Sequence, residues 1–210
     1  MTETTPTAEQ FWEDFYRDRE QIWTGNPNPL LVREVSELTP GTALDLGCGE
    51  GADALWLAER GWQVTGVDIS TTAMARGEQR AAQAGLTITW ARHDLQDSFP
   101  AGTFDLVSAQ FLHSPVERPD ERSSILRRAA SAVAPGGVLV IGGHHGWPSW
   151  VTDPPHGHAS FPTIEQVLDQ LALGPEWQVE TAELVYSPST SPDGVAGERA
   201  DSVLRVRRGR

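Results

Sequence analysis

The stretch Ala43–Ser70, A-L-D-L-G-C-G-E-G-A-D-A-L-W-L-A-E-R-G-W-Q-V-T-G-V-D-I-S, constrains this chain more than any other. It opens with a short apolar run, Ala43 to Leu46, that holds one acid, Asp45. Gly47, Gly49 and Gly51 follow closely. Ala52, Ala54, Leu55, Leu57 and Ala58 then recur at helical spacing up to Gly61, a natural helix stop. A second apolar run, Trp62 to Val67, ends in Asp68. Strand, glycine turn, helix, strand, acid: the order predicts a βαβ unit with a ligand crevice at its switch point.

Each residue type has a physical task in such a unit. Glycines let a ligand approach backbone N–H groups with no Cβ in the way. The helix starting near Gly51 aims its unpaired N–H groups at that ligand. Asp68, closing the second strand, can accept hydrogen bonds from the two hydroxyls of a ribose, so the ligand carries a nucleoside. Gly47-x-Gly49-x-x-Ala52 also fits a dinucleotide fingerprint. Asp45 argues against it, because a carboxylate two residues before the first glycine would repel a pyrophosphate and attract an ammonium. S-adenosylmethionine (SAM) combines a ribose, a carboxylate, an ammonium and a sulfonium without any phosphate. Cys48, inside the turn, reads as a small filler and is counted with the loop.

The run L-D-L-G-C-G-E-G followed by V-T-G-V-D-I-S resembles the first two signature segments of class I SAM-dependent methyltransferases. P-G-G-V-L-V-I, at Pro135–Ile141, is similar to a later segment of the same family. W-T-G-N-P-N-P-L-L, from Trp23, resembles the N-terminal loop of small-molecule members related to the tellurite-resistance and thiopurine enzymes. The resemblance implies a doubly wound, mostly parallel seven-stranded α/β sheet, Rossmann-like, with an antiparallel C-terminal hairpin. N-terminal helices would cap the site. It implies SAM as cofactor, S-adenosylhomocysteine (SAH) as product, and Asp94 with Leu95 at the adenine. Ile69, beside Asp68, and Gln110, ending the fourth strand, complete the implied cofactor contacts. Trp23 becomes either an aromatic wall near the sulfonium, a cation–π contact, or a core aromatic under its loop.

Composition narrows the function further. A length of 210 residues suits one α/β domain, with residues 1–40 as its cap. The net charge of −13 argues against nucleic acid and anionic membrane as partners. No apolar run is long enough to span a bilayer, and no signal peptide is evident at the N-terminus. With one cysteine there is no internal disulfide, and a cytoplasmic location is expected. All 16 basic residues are arginine. That removes the lysine on which a P-loop, a Schiff base or a short-chain dehydrogenase depends. Methyl transfer to a small molecule is therefore the leading reading. A SAM-binding or nucleoside-binding regulatory module without catalysis is the alternative, and an NAD-dependent reductase a third.

Along the chain, Met1–Ala8 is expected to fray and Glu9–Ile22 to form an amphipathic helix with an aromatic face. Leu30–Leu38 reads as a short helix and Thr71–Ala84 as a longer one stopped by Gly85. Leu86–Trp90 reads as the third strand, Phe104–Ala109 as the fourth, Arg118–Val133 as a helix and Val138–Gly142 as the fifth strand after a Pro135-Gly136-Gly137 break. Residues 143–161 are rich in Gly, Pro and His and read as a lid or acceptor wall. Thr163 caps a helix to Leu171, and Trp177–Tyr186 and Ser202–Arg208 are strands joined by a mobile linker, Ser187–Ala200.

His113 and His144 follow the fourth and fifth strands, where acceptor-facing groups sit in open parallel sheets. They are the candidates for orienting the acceptor or taking its proton. His144, His145, His156 and His158 share one loop but lack the spacing of a ligand set such as H-E-x-x-H, so no metal is expected. The resemblance admits thiols, metalloid oxyanions, hydroxyls and amines as acceptors.

Overall fold

The computed structural model describes residues 6–153 and 161–210. The strands are β1 (Thr42–Leu46), β2 (Gln63–Asp68), β3 (Thr89–Arg92), β4 (Phe104–Gln110), β5 (Val133–His144), β6 (Trp177–Thr190) and β7 (Ala196–Arg208). The helices are α1 (Ala8–Arg17), α2 (Pro29–Val35), α3 (Ala52–Glu59), α4 (Thr71–Ala84), α5 (Glu121–Ser131) and α6 (Ile164–Leu171). The seven strands form one sheet in the order β3-β2-β1-β4-β5-β7-β6. β1 to β5 pair in parallel, and β7 runs antiparallel to both β5 and β6. The expected doubly wound sheet with a C-terminal antiparallel hairpin is the fold observed.

Alternation along the central strands builds a core on each face. Leu44, Leu46, Val107, Ala109, Leu139 and Ile141 face α5 and α6, meeting Leu126, Ala129, Val167 and Leu171. Ala43, Leu106, Val138 and Val140 point the other way, onto Leu31 and Val35 of α2 and Ala54 and Leu57 of α3. The reversal of strand order between β1 and β4 opens the crevice at their carboxyl ends.

Several boundaries differ from expectation, each for a local reason. α1 begins earlier, since Thr7 and Gln10 form a capping box, and it ends at Arg17 rather than Ile22. There Arg76 takes the carbonyls of Tyr16 and Arg19, and Glu50 takes the N–H groups of Ile22 and Trp23, so the chain peels away. β3 starts at Thr89 because Leu86 N–H is spent on the carbonyl of Ala81, closing α4. α5 starts at Glu121, whose carboxylate accepts from Arg118 N–H, and it stops at Ser131.

β5 runs through Pro135-Gly136-Gly137 instead of starting after it. Phe104 pairs with Val133 and Leu106 with Val138, so the intervening residues bulge out opposite Asp105. A Cβ on Gly137 would lie 2.8 Å from the Asp105 carbonyl oxygen, which explains the glycine. The expected mobile linker is strand as well: Ser187–Thr190 pairs with Ala196–Arg199 around a turn closed from Ser191 to Val195. Pro188 is tolerated because β6 is the sheet's edge. No helix among the described residues is long and apolar enough to cross a membrane.

Candidate active site

A cavity of about 730 Å³ opens above the carboxyl ends of β1, β2, β4 and β5. Gly47, Cys48 and Gly49 line it, together with Asp68 and Ile69. Asp68 is buried; its Oδ2 accepts from Gly49 N–H at 2.8 Å and its Oδ1 from Ser70 N–H at 2.9 Å. Its first task is therefore to hold the glycine loop shut, and it reaches the cavity from that position. Burial raises its pKa, against the pull of those hydrogen bonds.

Gly51 and Asp45 stand off the cavity wall. Gly51, at φ 78°, packs instead on Trp90, where an added Cβ would come within 2.5 Å of the ring. Gly66 and Gly77 complete the same slot around that indole. Asp45 lies in β1, 2% exposed, with its Oδ2 buried and without a hydrogen-bond partner. Burial, then the charges of Asp53 and Asp68, push its pKa well up. Asp53, in the first turn of α3, is a wall residue that sequence reasoning passed over. It accepts from Asn28 N–H, and burial raises its pKa to about 6. Its one signal was an acid just after the glycine turn.

Three carboxylates around one loop, with one oxygen orphaned, form a pole that lacks a cation. A ligand bringing an ammonium and a sulfonium together with ribose hydroxyls suits this donor set. SAM fits; a pyrophosphate does not.

The N-terminal segment roofs this part of the cavity. Tyr16 is buried, and its hydroxyl sits 2.7 Å from where a Cβ of Gly49 would be. Burial and the charge of Asp68 raise its pKa. Trp23 donates from Nε1 to that hydroxyl at 3.1 Å. Trp23 is half exposed and lines the cavity, so of its two readings the structure places it at the wall rather than in the core. Glu50 of the glycine loop binds Arg76 of α4 at 2.7 Å as well as the N–H groups of Ile22 and Trp23. Glu13 takes Ser70 Oγ and Thr72 N–H at the start of α4. Burial works against its charge, but those hydrogen bonds win and hold its pKa near 2.

On the far side, Asp94, Leu95 and Gln110 line the cavity as expected. Asp94 Oδ1 accepts from Gln96 N–H at 3.0 Å, and Gln110 donates from Nε2 to Ser108 Oγ at 3.2 Å. Gln110 Oε1 is buried and unpartnered. His113 and His144 both reach the wall, with ring centroids 5.9 Å apart. Burial lowers the pKa of His113, and the neighbouring His144 and Arg122 lower it further. His144 closes β5, whereas His145 turns off the wall and donates its N–H to the Ala200 carbonyl. His156 and His158 lie outside the described residues. Among the described residues, no three His, Cys, Asp or Glu side chains converge as a metal site would require.

Residues 43–137 match the family model described as "Methyltransferase domain". Over that stretch the chain is similar to a methyltransferase domain. It is 32% identical over 151 residues to 2-heptyl-1-hydroxyquinolin-4(1H)-one methyltransferase of Mycobacteroides abscessus, covering 65% of each chain. It is also 32% identical over 117 residues to ribosomal RNA small subunit methyltransferase C of Alcanivorax borkumensis, covering 54% of this chain and 36% of that one. The chain thus spans between about a third and two thirds of the length of these curated relatives. In fold, the chain matches the N-methyltransferase NodS of Bradyrhizobium japonicum solved with SAH. The TM-score is 0.64 at 21% identity, covering 95% of this chain and 99% of the other.

Proposed function

We propose that the protein transfers the methyl group of SAM to a small-molecule acceptor. The observation that carries this reading is one continuous cavity. Its near end is the glycine loop with cation-seeking carboxylates, and its far end carries the imidazoles of His113 and His144. Asp68 would take the ribose hydroxyls. Asp94 and Leu95 would flank the adenine, and Gly47, Cys48 and Gly49 would lie along the methionine part. Ile69 and Gln110 would add wall contacts. Asp53 would meet the ammonium directly and Asp45 from behind the loop. Trp23 and Tyr16 would close the roof and exclude water.

The sulfonium supplies an already activated methyl group, so the protein's own contribution is alignment of the acceptor and exclusion of solvent. One of the two histidines orients the acceptor or holds its proton. The described chain would act as one domain, with residues 1–40 as its cap. A cytoplasmic setting, where SAM is made and consumed, suits this chemistry. The acidic balance of the chain supports a small acceptor over RNA, and the N-terminal roof is of the kind the small-molecule members carry.

Calorimetry with SAM, SAH and NAD tests the cofactor. SAM and SAH are expected to bind and NAD not; the reverse order would sink the reading. Asp68→Ala should weaken SAH by about 1–3 kcal/mol, the range for hydrogen bonds lost from a charged acceptor. Unchanged affinity in a folded variant would remove Asp68 from the ribose. Release of SAH from SAM on adding small-molecule acceptors then separates an enzyme from a binding module.

A further inference from the structure

We propose that Asp201 positions His144 as the base of this site, and that the acceptor the base serves is a hydroxyl. The proposal rests on the methyl-transfer reading above and narrows its acceptor.

The sheet itself makes the pair. In the β5–β7 ladder His144 stands directly opposite Asp201, so the register alone brings the two side chains together. His144 Nδ1 lies 2.9 Å from Asp201 Oδ1. Asp201 is 4% exposed and lies behind the wall, and its second oxygen accepts from Arg199 Nε at 2.9 Å. An ionised carboxylate only accepts hydrogen bonds, so its partner nitrogen must carry the proton. That fixes the Nδ1–H tautomer and leaves the lone pair on Nε2 of a ring that lines the cavity. The Phe111 ring rests against this imidazole, with centroids 4.5 Å apart, and braces it. Phe111 itself is held at φ 50°, a conformation that costs energy for a non-glycine residue. Among the described residues no carboxylate orients His113 in this way. The two histidines are therefore not equivalent.

The acceptor class follows from what an oriented base is for. An oxyanion arrives ionised, and a thiol, more acidic than a hydroxyl and a stronger nucleophile, gains less from a base. An amine attacks through its neutral form, which solvent can generate before it binds, and so depends less on an oriented base. A hydroxyl keeps its proton until attack begins. Its oxygen forms the new O–C bond as the proton passes to His144 Nε2, and the broken C–S bond leaves its electron pair on sulfur. The products are the methyl ether, SAH and an imidazolium stabilised by Asp201.

Nitrogen NMR of ¹⁵N-labelled protein tests the positioning, with His113→Gln and His144→Gln assigning the ring signals. His144 should show a protonated Nδ1 and a bare Nε2. Asp201→Asn should shift it toward the Nε2–H form, and Asp201→Glu should restore the wild-type pattern. A predominant Nε2–H tautomer in the wild type overturns the proposal, whatever the variants do. For the acceptor, a panel of phenols and shape-matched thiophenols is offered with radiolabelled SAM. The wild type should methylate phenols, and Asp201→Asn should lower that rate by about ten-fold more than it lowers thiophenol methylation. Transfer to thiophenols alone, to neither class, or equal losses for both overturn the hydroxyl assignment. SAH titration of the wild type runs beside these. Its failure would sink the cofactor reading, whereas normal SAH binding with either contrary result sinks this proposal alone.

Discussion

Asp45, Asp53 and Asp68 sit close enough to resist losing their protons together, and this has a measurable consequence. Burial lifts Asp53 from 3.8 to about 6, so between those values the folded chain binds more protons than the unfolded one. The Asp53 contribution to stability then falls as pH rises from about 4 to about 6, and Asp45 and Asp68, whose pKa values burial also raises, add slopes of the same sign. Asp53→Asn should reduce that slope in thermal unfolding scans, and a slope as steep as the wild type's would remove Asp53 as a source of it. A bound ammonium favours the ionised acids, so SAH should bind more tightly across the same window, with the gain reduced in Asp53→Asn. Much at this scale was legible, since the glycine loop, Asp68, Asp94, His113 and His144 sit at strand ends that a local pattern announces. Asp53 at the cavity wall and Asp201 against His144 were not legible in the sequence. Their meaning depends on Asn28 and His144, which lie 25 and 57 residues away, and no spacing rule connects them.

The elements best anticipated were those with local punctuation at both ends. α4 has Ser70 as N-cap and Gly85 as C-cap, and α6 opens on a Thr163–Gln166 capping box. The strand extensions of β6 and β7 escaped because their residues, Ser, Pro and Gly among them, pair only across the hairpin. Interlocking between elements is where substitutions should be felt. Arg76→Ala would leave buried Glu50 without its cation and free the carbonyls of Tyr16 and Arg19. A loss of about 3 kcal/mol in urea unfolding is expected, near the cost of orphaning a buried charge. Hydrogen exchange should speed up in residues 8–23, and SAH should bind more weakly. Preserved exchange protection there would mean that the roof is held by its aromatic contacts instead. Gly77→Ala should cost about 1–3 kcal/mol by overpacking, because its Cβ would come within 2.6 Å of Trp90 Cη2.

Over the whole molecule, the charge of −13 sets what can approach. One relative bears the name of a ribosomal RNA methyltransferase, but this chain covers only 36% of it. Filter binding to a structured RNA at low salt should show no retention; salt-sensitive retention would reopen a nucleic-acid acceptor. The topology carries a different consequence. β7 follows β6 in sequence, yet it lies between β5 and β6 and brings Asp201 to His144. Until β7 has been made, β5 presents a bare apolar edge and β6 has no neighbour in the sheet. The glycine loop and its surroundings can assemble on the emerging chain, but the acceptor side cannot. A chain cut short before Ala196 would therefore keep the glycine loop, yet leave His144 without Asp201 and β5 and β6 without the strand that joins them.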